Sequence, residues 1–406
     1  MAAPESGVPL DWGQLGALVA PEPDRVHGPT SAQARLRLFG ASEADVRVTL
    51  YRDNHAWCPY CQKVWLWLEE RGIPYRVRKV SMVCYGEKEA WYRQRVPSGM
   101  LPALELDGRL ITESDDILRA LESAFGPLGE GLDDPAVAPL RRLERRLFRA
   151  WCHWLCSPHA SAGDEQLAEQ QFVRMATAVE EALTATAGPF FRPAFGTADV
   201  VFTPFLERIS ASLYAYKGYR LRQSHPAIDA WFGAMERRPT YLGTQSDFHT
   251  HVNDLPPQMG GCYQRGTAEQ QACWHQVTSG GAPEETSQLE PPDAALEALG
   301  RVVRHHRAIV AVNPDQSDRF EVALRCALTQ LVVAGPPCPP PPGSAAGLRH
   351  LRDRISVPRD MGLHAARRLR QVLEVTASFD SAQQAAPIPT RHRRDQDPRP
   401  FQGVAA

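Results

Sequence analysis

Two cysteines at a spacing used for thiol chemistry are the clearest chemical feature of this sequence. Cys58 and Cys61 lie in the run HAWCPYC, between a strand-like segment and a helix-like one. A thiol at the start of a helix meets unpaired backbone N–H groups and the positive end of the helix dipole, which lower a thiol pKa from ~8.5 to ~3.5–7.5. Pro59 suits the first helical turn because its missing N–H is not needed there. We therefore expect Cys58 to be the reactive thiolate and Cys61 to be able to resolve a mixed disulfide on it.

A metal site is the alternative for such a pair. Zinc normally takes a second pair of ligands, and no second C-x-x-C motif occurs in the sequence. Cys152, Cys156 and His159, with His153 beside the first, have helical spacing and are also candidate ligands, but we favour a helix that lines the interdomain cleft over a metal site there. We therefore favour a redox role for Cys58 and predict no metal site.

The segment GMLPA, residues 99–103, offers backbone groups to a ligand. Pro102 stands at the entry of a strand, where a cis peptide bond is expected, with an ordinary trans proline as the alternative. A cis bond would turn the N–H and C=O of Leu101 toward the thiol. A peptide-like ligand would then pair with them in the manner of an added strand.

A later helix start offers a site for an amino-acid end. Glu113 and Ser114 precede a helix-like segment, and exposed N–H groups at a helix start bind carboxylates. Ser114 adds a hydroxyl donor, and Glu113 can accept from an ammonium group. A simple helix cap is the alternative, so the order of all three features, rather than any one, carries the prediction.

The elements that position these residues follow from the apolar pattern. Alternation and β-branched residues predict strands, the Asp107-Gly108 pair predicts a hairpin, and apolar spacing of three to four predicts helices. The predicted order is β-α-β-α-β-β-α within residues 46–126, which is an α/β domain. Its strands are 46–51, 75–80, 103–106 and 109–112, and its helices follow Trp57, span 87–95 and begin at Ser114.

The rest of the chain divides by composition. Residues 1–45 are predicted to be a lead-in, 135–243 an all-helical domain, 244–289 a loop or linker, 290–378 a helical extension and 379–406 a disordered tail. Within the extension, the run PPCPPPPG at 336–343 is expected to be extended.

Composition narrows the class of protein. The 406 residues carry a formal net charge of −2, so nothing favours nucleic acid as a partner. No apolar run approaches the ~20 residues of a membrane span. The nine cysteines are scattered and odd in number, which is typical of a reducing compartment. The first residues have neither a secretory signal nor a clear transit signature, so we expect a cytoplasmic or chloroplast location.

These features together resemble the glutathione transferases. Residues 46–125 resemble their thioredoxin-like N-terminal domain and 135–243 their all-helical C-terminal domain, and the cysteine is similar to that of the omega, lambda and glutathionyl-hydroquinone reductase classes. The segment K-x-x-W … P-x-G-x-x-P at 88–102 looks like the omega-type segment. The resemblance implies that Lys88 holds the glycine carboxylate of glutathione, Leu101 and Pro102 its cysteinyl backbone, and Glu113 and Ser114 its γ-glutamyl end.

The closest resemblance is to the iota class of photosynthetic organisms, a CPYC-type transferase fused to a C-terminal extension. It covers residues ~34–375 and rests on runs such as VPSGMLPALELDGRLITESDDIL and GTQSDFHTHVNDLPPQMGGC. One departure is Gly196, which stands where the capping box of a second-domain helix normally has Ser or Thr. Glycine is tolerated there at a cost of roughly a few tenths of a kcal/mol.

The resemblance implies a glutathione-dependent thiol transferase or deglutathionylating reductase, with glutathione as cosubstrate and a Cys58–glutathione intermediate. Tyr60, Trp151 and Trp154 are candidates for lining the acceptor site. Its partner is expected to be a small-molecule or protein disulfide or glutathione adduct, and a homodimer is compatible with the family. The alternatives are conjugation of glutathione to electrophiles and a non-catalytic role as a ligand or iron–sulfur cluster carrier.

Overall fold

A five-stranded mixed sheet forms the first domain. The computed structural model describes residues 7–283, 286, 288–315, 318–380 and 385–401. The strands are β1 Leu36–Arg37, β2 Val48–Asp53, β3 Tyr75–Val80, β4 Ala103–Leu106 and β5 Arg109–Thr112. They lie in the order β1-β3-β2-β4-β5, with β2 and β3 parallel and the other neighbours antiparallel. The predicted α/β fold is confirmed, and β1, in the predicted lead-in, adds an edge strand that was not predicted.

Helices cover this sheet and connect its strands. After a short lead-in helix, α1 Trp12–Ala17, the first domain contains α2 Pro59–Arg71, α3 Ala90–Arg95 and α4 Ser114–Phe125. Helix α2 is buried continuously from Cys61 to Glu69, because it lies between the sheet and the second domain. It ends at Gly72, whose φ of 59° is the left-handed conformation that glycine adopts at low cost. The helix that begins after Cys58 is therefore packed between the sheet and the second domain.

The second domain is helical, as predicted. It contains α5 Ala138–Cys156, α6 Ala162–Thr184, α7 Thr197–Lys217, α8 Leu221–Ser224, α9 Pro226–Met235 and α10 Pro239–Thr244. Helix α7 is buried along its whole length and packs on α2, and α10 also contacts α2, so these two helices join the second domain to the first.

The start of α7 shows how Gly196 replaces the usual cap. The carboxylate of Asp199 accepts hydrogen bonds from the backbone N–H of Gly196 at 3.0 Å and from the indole of Trp231 at 2.9 Å. Thr197 does not serve as the cap; its hydroxyl donates to Glu122 at 2.9 Å. The hydrogen bond from the N–H of Gly196 to Asp199 is therefore the half of the capping box that is present. The bond from Thr197 to Glu122 also connects the helix start to the first domain.

The prediction of a loop or linker over 244–289 is wrong in part. Two helices lie there, α11 Phe248–Met259 and α12 Ala268–Thr278. Helix α11 begins with Asp247 as its N-cap, which accepts from the N–H of Thr250 at 2.9 Å. It buries polar residues such as His249 and Asp254, so the apolar periodicity that would reveal the helix is missing.

The C-terminal extension forms its own helical core, as predicted. Its helices are α13 Ala294–Val312, α14 Asp318–Val332, α15 Ala345–Arg352 and α16 Leu363–Ser378, and α1 packs on the same core. Arg370 of α16 pairs with Asp247 at the start of α11, with 2% and 0% of the side chains exposed. This buried ion pair joins the extension to the remainder of the chain.

The predicted disordered tail is wrong for residues 385–401. Arg393 is 1% exposed and pairs with the buried Asp254 at 2.5 Å. Its backbone N–H also donates to the carbonyl of Cys84 at 2.7 Å. A polar, basic composition predicts disorder only when its charges stay in water; here a buried carboxylate holds the tail in place. Residues 381–384 and 402–406 of that prediction lie outside the described residues.

None of the helices in the described part of the chain combines the length and apolar character that a membrane span requires.

Candidate active site

Cys58 is the N-cap residue of α2. Pro59 occupies the first helical position, and the thiol makes no capping hydrogen bond to its own helix. The side chain is 6% exposed, and its sulfur lies 3.9 Å from the carbonyl oxygen of Leu101. The first backbone N–H groups of a helix have no intrahelical partner, and the sulfur stands at that end of α2. The predicted placement of the thiol at a helix start is therefore what the structure shows.

Cys61 and an unpredicted carboxylate lie directly behind Cys58. One ligand atom each from Asp53, Cys58 and Cys61 lie within 4.8 Å of one another, and all three residues are buried. Burial raises the pKa of Cys61 well above its usual value, and the neighbouring Cys58 and Asp53 raise it further. Cys61 is thus held as a neutral thiol beside the sulfur of Cys58.

Asp53 was missed by the sequence analysis. One oxygen accepts from the backbone N–H of Trp57 at 2.7 Å, while the other is buried and has no hydrogen-bond partner among the described residues. The only sequence signal is an aspartate at the end of a strand five residues before the first cysteine. This oxygen can accept a hydrogen bond.

The Leu101–Pro102 peptide bond is cis, as expected, and β4 begins at the next residue. Tyr92 holds the preceding turn by donating its hydroxyl to the carbonyl of Met100 at 2.6 Å. The carbonyl of Leu101 faces Cys58. An edge of peptide backbone is thereby placed next to the thiol.

Glu113 and Ser114 stand at the start of α4. Glu113 has φ 65° and ψ 118°, an unusual conformation for a residue other than glycine, and Ser114 is 7% exposed. Such a backbone outlier is typical of a functional constraint.

The next residue, Asp115, already pairs with Lys63 of α2 at 2.6 Å and also with Arg141 of α5. Burial opposes the charge of Asp115, but these two cations outweigh it and hold its pKa at about 2.

Lys88 is a half-buried cation in the loop before α3. Its ammonium lies 5.5 Å from the ring centre of Tyr92, and its chain passes beside Gly99. Gly99 has φ 65°, and an added Cβ there would lie 3.4 Å from the Lys88 chain, so a glycine suits both the turn and the packing. Burial lowers the pKa of Lys88, whereas the nearby thiols act in the opposite direction.

Trp151 and Trp154 do not line an acceptor site, which corrects the sequence prediction. They are 1% and 0% exposed. The indole of Trp151 donates to Ser212 at 2.9 Å inside the second domain, and Trp154 packs on Phe172. Helical spacing identified the buried face of α5, but the neighbouring helices cover that face. Tyr60 is half-buried and remains a candidate.

Arg208 of α7 supports the loop before Cys58 and was also missed. This fully buried guanidinium bonds to the carbonyl of Trp57 and to Gln62 at 3.0 Å, and it stacks over the Trp57 ring at 4.8 Å. On the other side of the loop, His55 stacks on Tyr85 with ring centres 3.5 Å apart. Buried groups from distant parts of the chain therefore hold the loop that positions the thiol.

The metal alternative at 152–159 gains no support from the described residues. Among the described residues, the group of three possible ligands whose atoms lie within 4.8 Å of one another is Asp53, Cys58 and Cys61, which is outside 152–159. The thiol of Cys156 is instead hydrogen-bonded to that of Cys262. The backbone N–H of Tyr263 donates to the carbonyl of Leu155 at 3.0 Å, and this bond holds the two cysteine-bearing segments together.

Two family models match this architecture. Residues 57–124 match the N-terminal domain of glutathione S-transferases, and residues 164–234 match the C-terminal domain. Over these two stretches the chain is similar to the glutathione S-transferases. The first match begins at the loop that carries Cys58 and ends within α4, so it spans every predicted glutathione contact. The predicted enzyme class and glutathione as the cosubstrate of that family are confirmed.

Plant proteins are among the curated relatives. The chain is 28% identical to Protein IN2-1 of Zea mays over 201 residues, which is 47% of this chain and 77% of the relative. It is 27% identical to Glutathione S-transferase DHAR2 of Arabidopsis thaliana, over 47% of this chain and 84% of the relative. Among solved structures, the trimeric glutathione transferase TDR1 of Leishmania covers 86% of this chain and 70% of its own length, with 20% identity and a TM-score of 0.47.

Proposed function

We propose that this protein is a glutathione-dependent thiol transferase and deglutathionylating reductase whose nucleophile is the Cys58 thiolate. The observation that carries the proposal is the position of Cys58, at the start of α2 and 3.9 Å from the Leu101 carbonyl. The relatives named Glutathione S-transferase DHAR3, DHAR2 and L3 agree with a glutathione-dependent transferase.

Glutathione is proposed to bind along the backbone at Leu101. Its cysteinyl residue would pair with Leu101 beside the cis Pro102, in the manner of an added strand. Its γ-glutamyl carboxylate would lie at the N-terminus of α4, with Glu113 accepting from the ammonium and the Ser114 hydroxyl donating. Lys88 would pair with the glycine carboxylate. These proposed contacts would bring the glutathione sulfur next to Cys58.

The reaction is an exchange of sulfur partners. The Cys58 thiolate attacks the glutathione sulfur of a mixed disulfide, a Cys58–glutathione bond forms, and the acceptor leaves as a thiolate that takes up a proton. A second glutathione then attacks the Cys58–glutathione bond. It leaves as glutathione disulfide and regenerates the Cys58 thiolate, so the net reaction converts one mixed disulfide and one glutathione into one acceptor thiol and one glutathione disulfide.

Cys61 offers a second route of release. Its thiol must lose a proton before it attacks the Cys58–glutathione bond, and burial disfavours the charged form. The free oxygen of Asp53 is the proposed acceptor for this proton. Cys61 would then form a disulfide with Cys58 and release glutathione, which two further glutathiones would reverse. Cys61 is therefore proposed as a conditional helper.

The finer assignment is to the iota class, on the strength of the CPYC motif and the extension after residue 290. The relatives include proteins described as chloroplastic and as cytosolic, so both compartments are retained. A disulfide or glutathione adduct, small or protein-borne, is the proposed substrate, and a homodimer the proposed assembly.

The test is thiol transfer by the full chain, measured as glutathione disulfide formed from a small-molecule glutathione mixed disulfide. Cys58→Ser should reduce this activity to background because serine is not a nucleophile for disulfide exchange. Cys152→Ser, at a half-buried cysteine of α5, is the matched control and should keep full activity. Full activity in Cys58→Ser would overturn the proposal.

A further inference from the structure

A second pair of cysteines lies in the C-terminal extension, apart from the candidate active site. Cys326 is in α14, and Cys338 is in the proline-rich segment that follows it. Their sulfur atoms are 2.8 Å apart, and the side chains are 1% and 3% exposed. Both are free thiols in the structure. A disulfide has an S–S length of about 2.0 Å, so a movement of roughly 0.8 Å would allow the bond to form.

Several contacts hold Cys338 against α14. Gln330, one turn beyond Cys326, donates its side-chain amide to the carbonyl of Cys338 at 3.0 Å. The thiol of Cys326 donates to the carbonyl of Pro339 at 3.8 Å. The thiol of Cys338 reaches the carbonyl of Gly7 at 3.5 Å, so the lead-in lies against the pair. The two sulfurs are therefore positioned by hydrogen bonds from three parts of the chain.

The proline-rich composition of the segment around Cys338 restricts its backbone. Six prolines surround Cys338 between residues 336 and 342. Proline fixes φ near −65° and has no N–H, so the segment samples few conformations in either redox state. Residues 335–337 and 339 are exposed, so solvent reaches the neighbours of Cys338 on both sides. A stiff, exposed segment that carries an inward-facing thiol suits reversible cross-linking.

We propose that Cys326 and Cys338 are a thiol–disulfide modification site, oxidised by glutathione disulfide and reduced by glutathione. In the first step the Cys338 thiolate attacks glutathione disulfide, forming a Cys338–glutathione bond and releasing one glutathione thiolate. In the second, Cys326 attacks the Cys338 sulfur, the new S–S bond forms, and the second glutathione leaves with the proton that Cys326 gives up. The pair loses two electrons, and one glutathione disulfide becomes two glutathiones.

Both side chains are buried, and Cys338 is assigned the first step because it lies outside a helix and the residues beside it, 335–337 and 339, are exposed. Cys326 lies in a helix, and burial raises its pKa to about 12, with the adjacent Cys338 acting in the same direction. A buried thiol of this kind is a poor first nucleophile, but it is well placed to displace glutathione from a sulfur it already touches. The order of the two steps follows from this difference.

The experiment maps the redox state of one peptide. No lysine or arginine separates Cys326 from Cys338, so trypsin releases both on the fragment 326–349. The full-length protein is equilibrated in buffers with an increasing ratio of glutathione disulfide to glutathione. Free thiols are then alkylated under denaturing conditions, and the mass of the tryptic fragment is measured by mass spectrometry. The expected result is a reversible change from a doubly alkylated fragment to an unalkylated one that is two hydrogens lighter than its dithiol form.

Two variants sharpen the test. Cys326→Ser should stop the reaction after the first step, leaving the fragment with a single glutathione on Cys338. Cys58→Ser should leave oxidation of the pair unchanged, so a failure of the proposed active site would not remove this result. A wild-type fragment that stays doubly alkylated across the series, or that carries glutathione without closing the internal bond, would overturn the proposal.

Discussion

Replacing Arg370 by methionine tests whether the extension stabilises the transferase domains. Arg370 of α16 is 2% exposed, and it pairs with Asp247, which is 0% exposed and caps α11. It also donates to the carbonyl of Ile355 at 2.8 Å. Methionine keeps much of the length and apolar contact of the arginine stem, so the change removes mainly the charge and its hydrogen bonds.

The expected loss is large because Asp247 would be left as a buried charge. Removing one member of a buried ion pair costs about 3–5 kcal/mol. If the 406 residues unfold together, their unfolding entropy is roughly 0.9 kcal/mol/K, so the Tm should fall by roughly 4–6 °C. If the extension unfolds separately, the same loss acts on fewer residues and its own Tm falls further.

Differential scanning calorimetry on the full chain measures both the size of the shift and the number of transitions. Arg368→Met is the matched control, because Arg368 lies on the same helix and pairs with Glu290 at the surface, with 51% and 41% of the side chains exposed. A surface pair contributes about 0–1 kcal/mol, so this variant should lower the Tm by no more than about 1 °C.

An equal decrease in Tm for Arg370→Met and Arg368→Met would refute the reasoning. It would mean that Asp247 is solvated or protonated when Arg370 is absent, and that the contact between α16 and α11 contributes little. Adding Asp247→Asn to Arg370→Met provides a further check. The double variant has no buried charge at this position, so it should be no less stable than the sum of the single changes predicts, and a larger loss would contradict the pairing.

Three further predictions concern the site and its supports. Asp53→Asn should slow release through Cys61 because the proton acceptor is lost, so quenched-flow mass spectrometry should show more Cys58–glutathione adduct than in wild type, and an unchanged adduct level would contradict the role. Lys88→Met should raise the KM for glutathione roughly 10-fold with little change in kcat, since a charge-assisted bond to the glycine carboxylate is lost, and an unchanged KM would contradict that contact. Because the folded pKa of Asp115 is about 2, below its unfolded value of ~3.9, its pair with Lys63 should contribute fully above about pH 4 and be lost as pH falls toward 2. Urea unfolding at a series of pH values should therefore show a smaller acid dependence in Asp115→Asn, and an identical dependence would contradict the pairing.

The features predicted correctly from the sequence are those with local signals. A cysteine before Pro59, a proline at the entry of a strand and a Ser at a helix start each carry their geometry within a few residues. The cis bond before Pro102 and the helix starts at Pro59 and Ser114 are accordingly found where they were expected. Their order along the chain then identified the fold.

Features that depend on distant partners were missed or wrong. Asp53 and Arg208 carry no local sign that they lie beside the thiols, because a buried charge is recognised only from what pairs with it. Trp151 and Trp154 were assigned to an acceptor site because periodicity identifies a buried face without naming what covers it. Helix α11 and the tail at Arg393 were missed because both bury paired polar groups, and hydrophobic periodicity cannot detect these.

The central claim is that Cys58 forms the covalent intermediate, and trapping that intermediate tests it most directly. In Cys61→Ser, incubated with a small-molecule glutathione mixed disulfide and quenched in acid, peptide mapping should find glutathione bound to Cys58. When excess glutathione is added before the quench, the adduct should disappear at the rate of turnover. An unmodified Cys58 in an enzyme that still turns over, or an adduct that persists while turnover continues, would contradict the account.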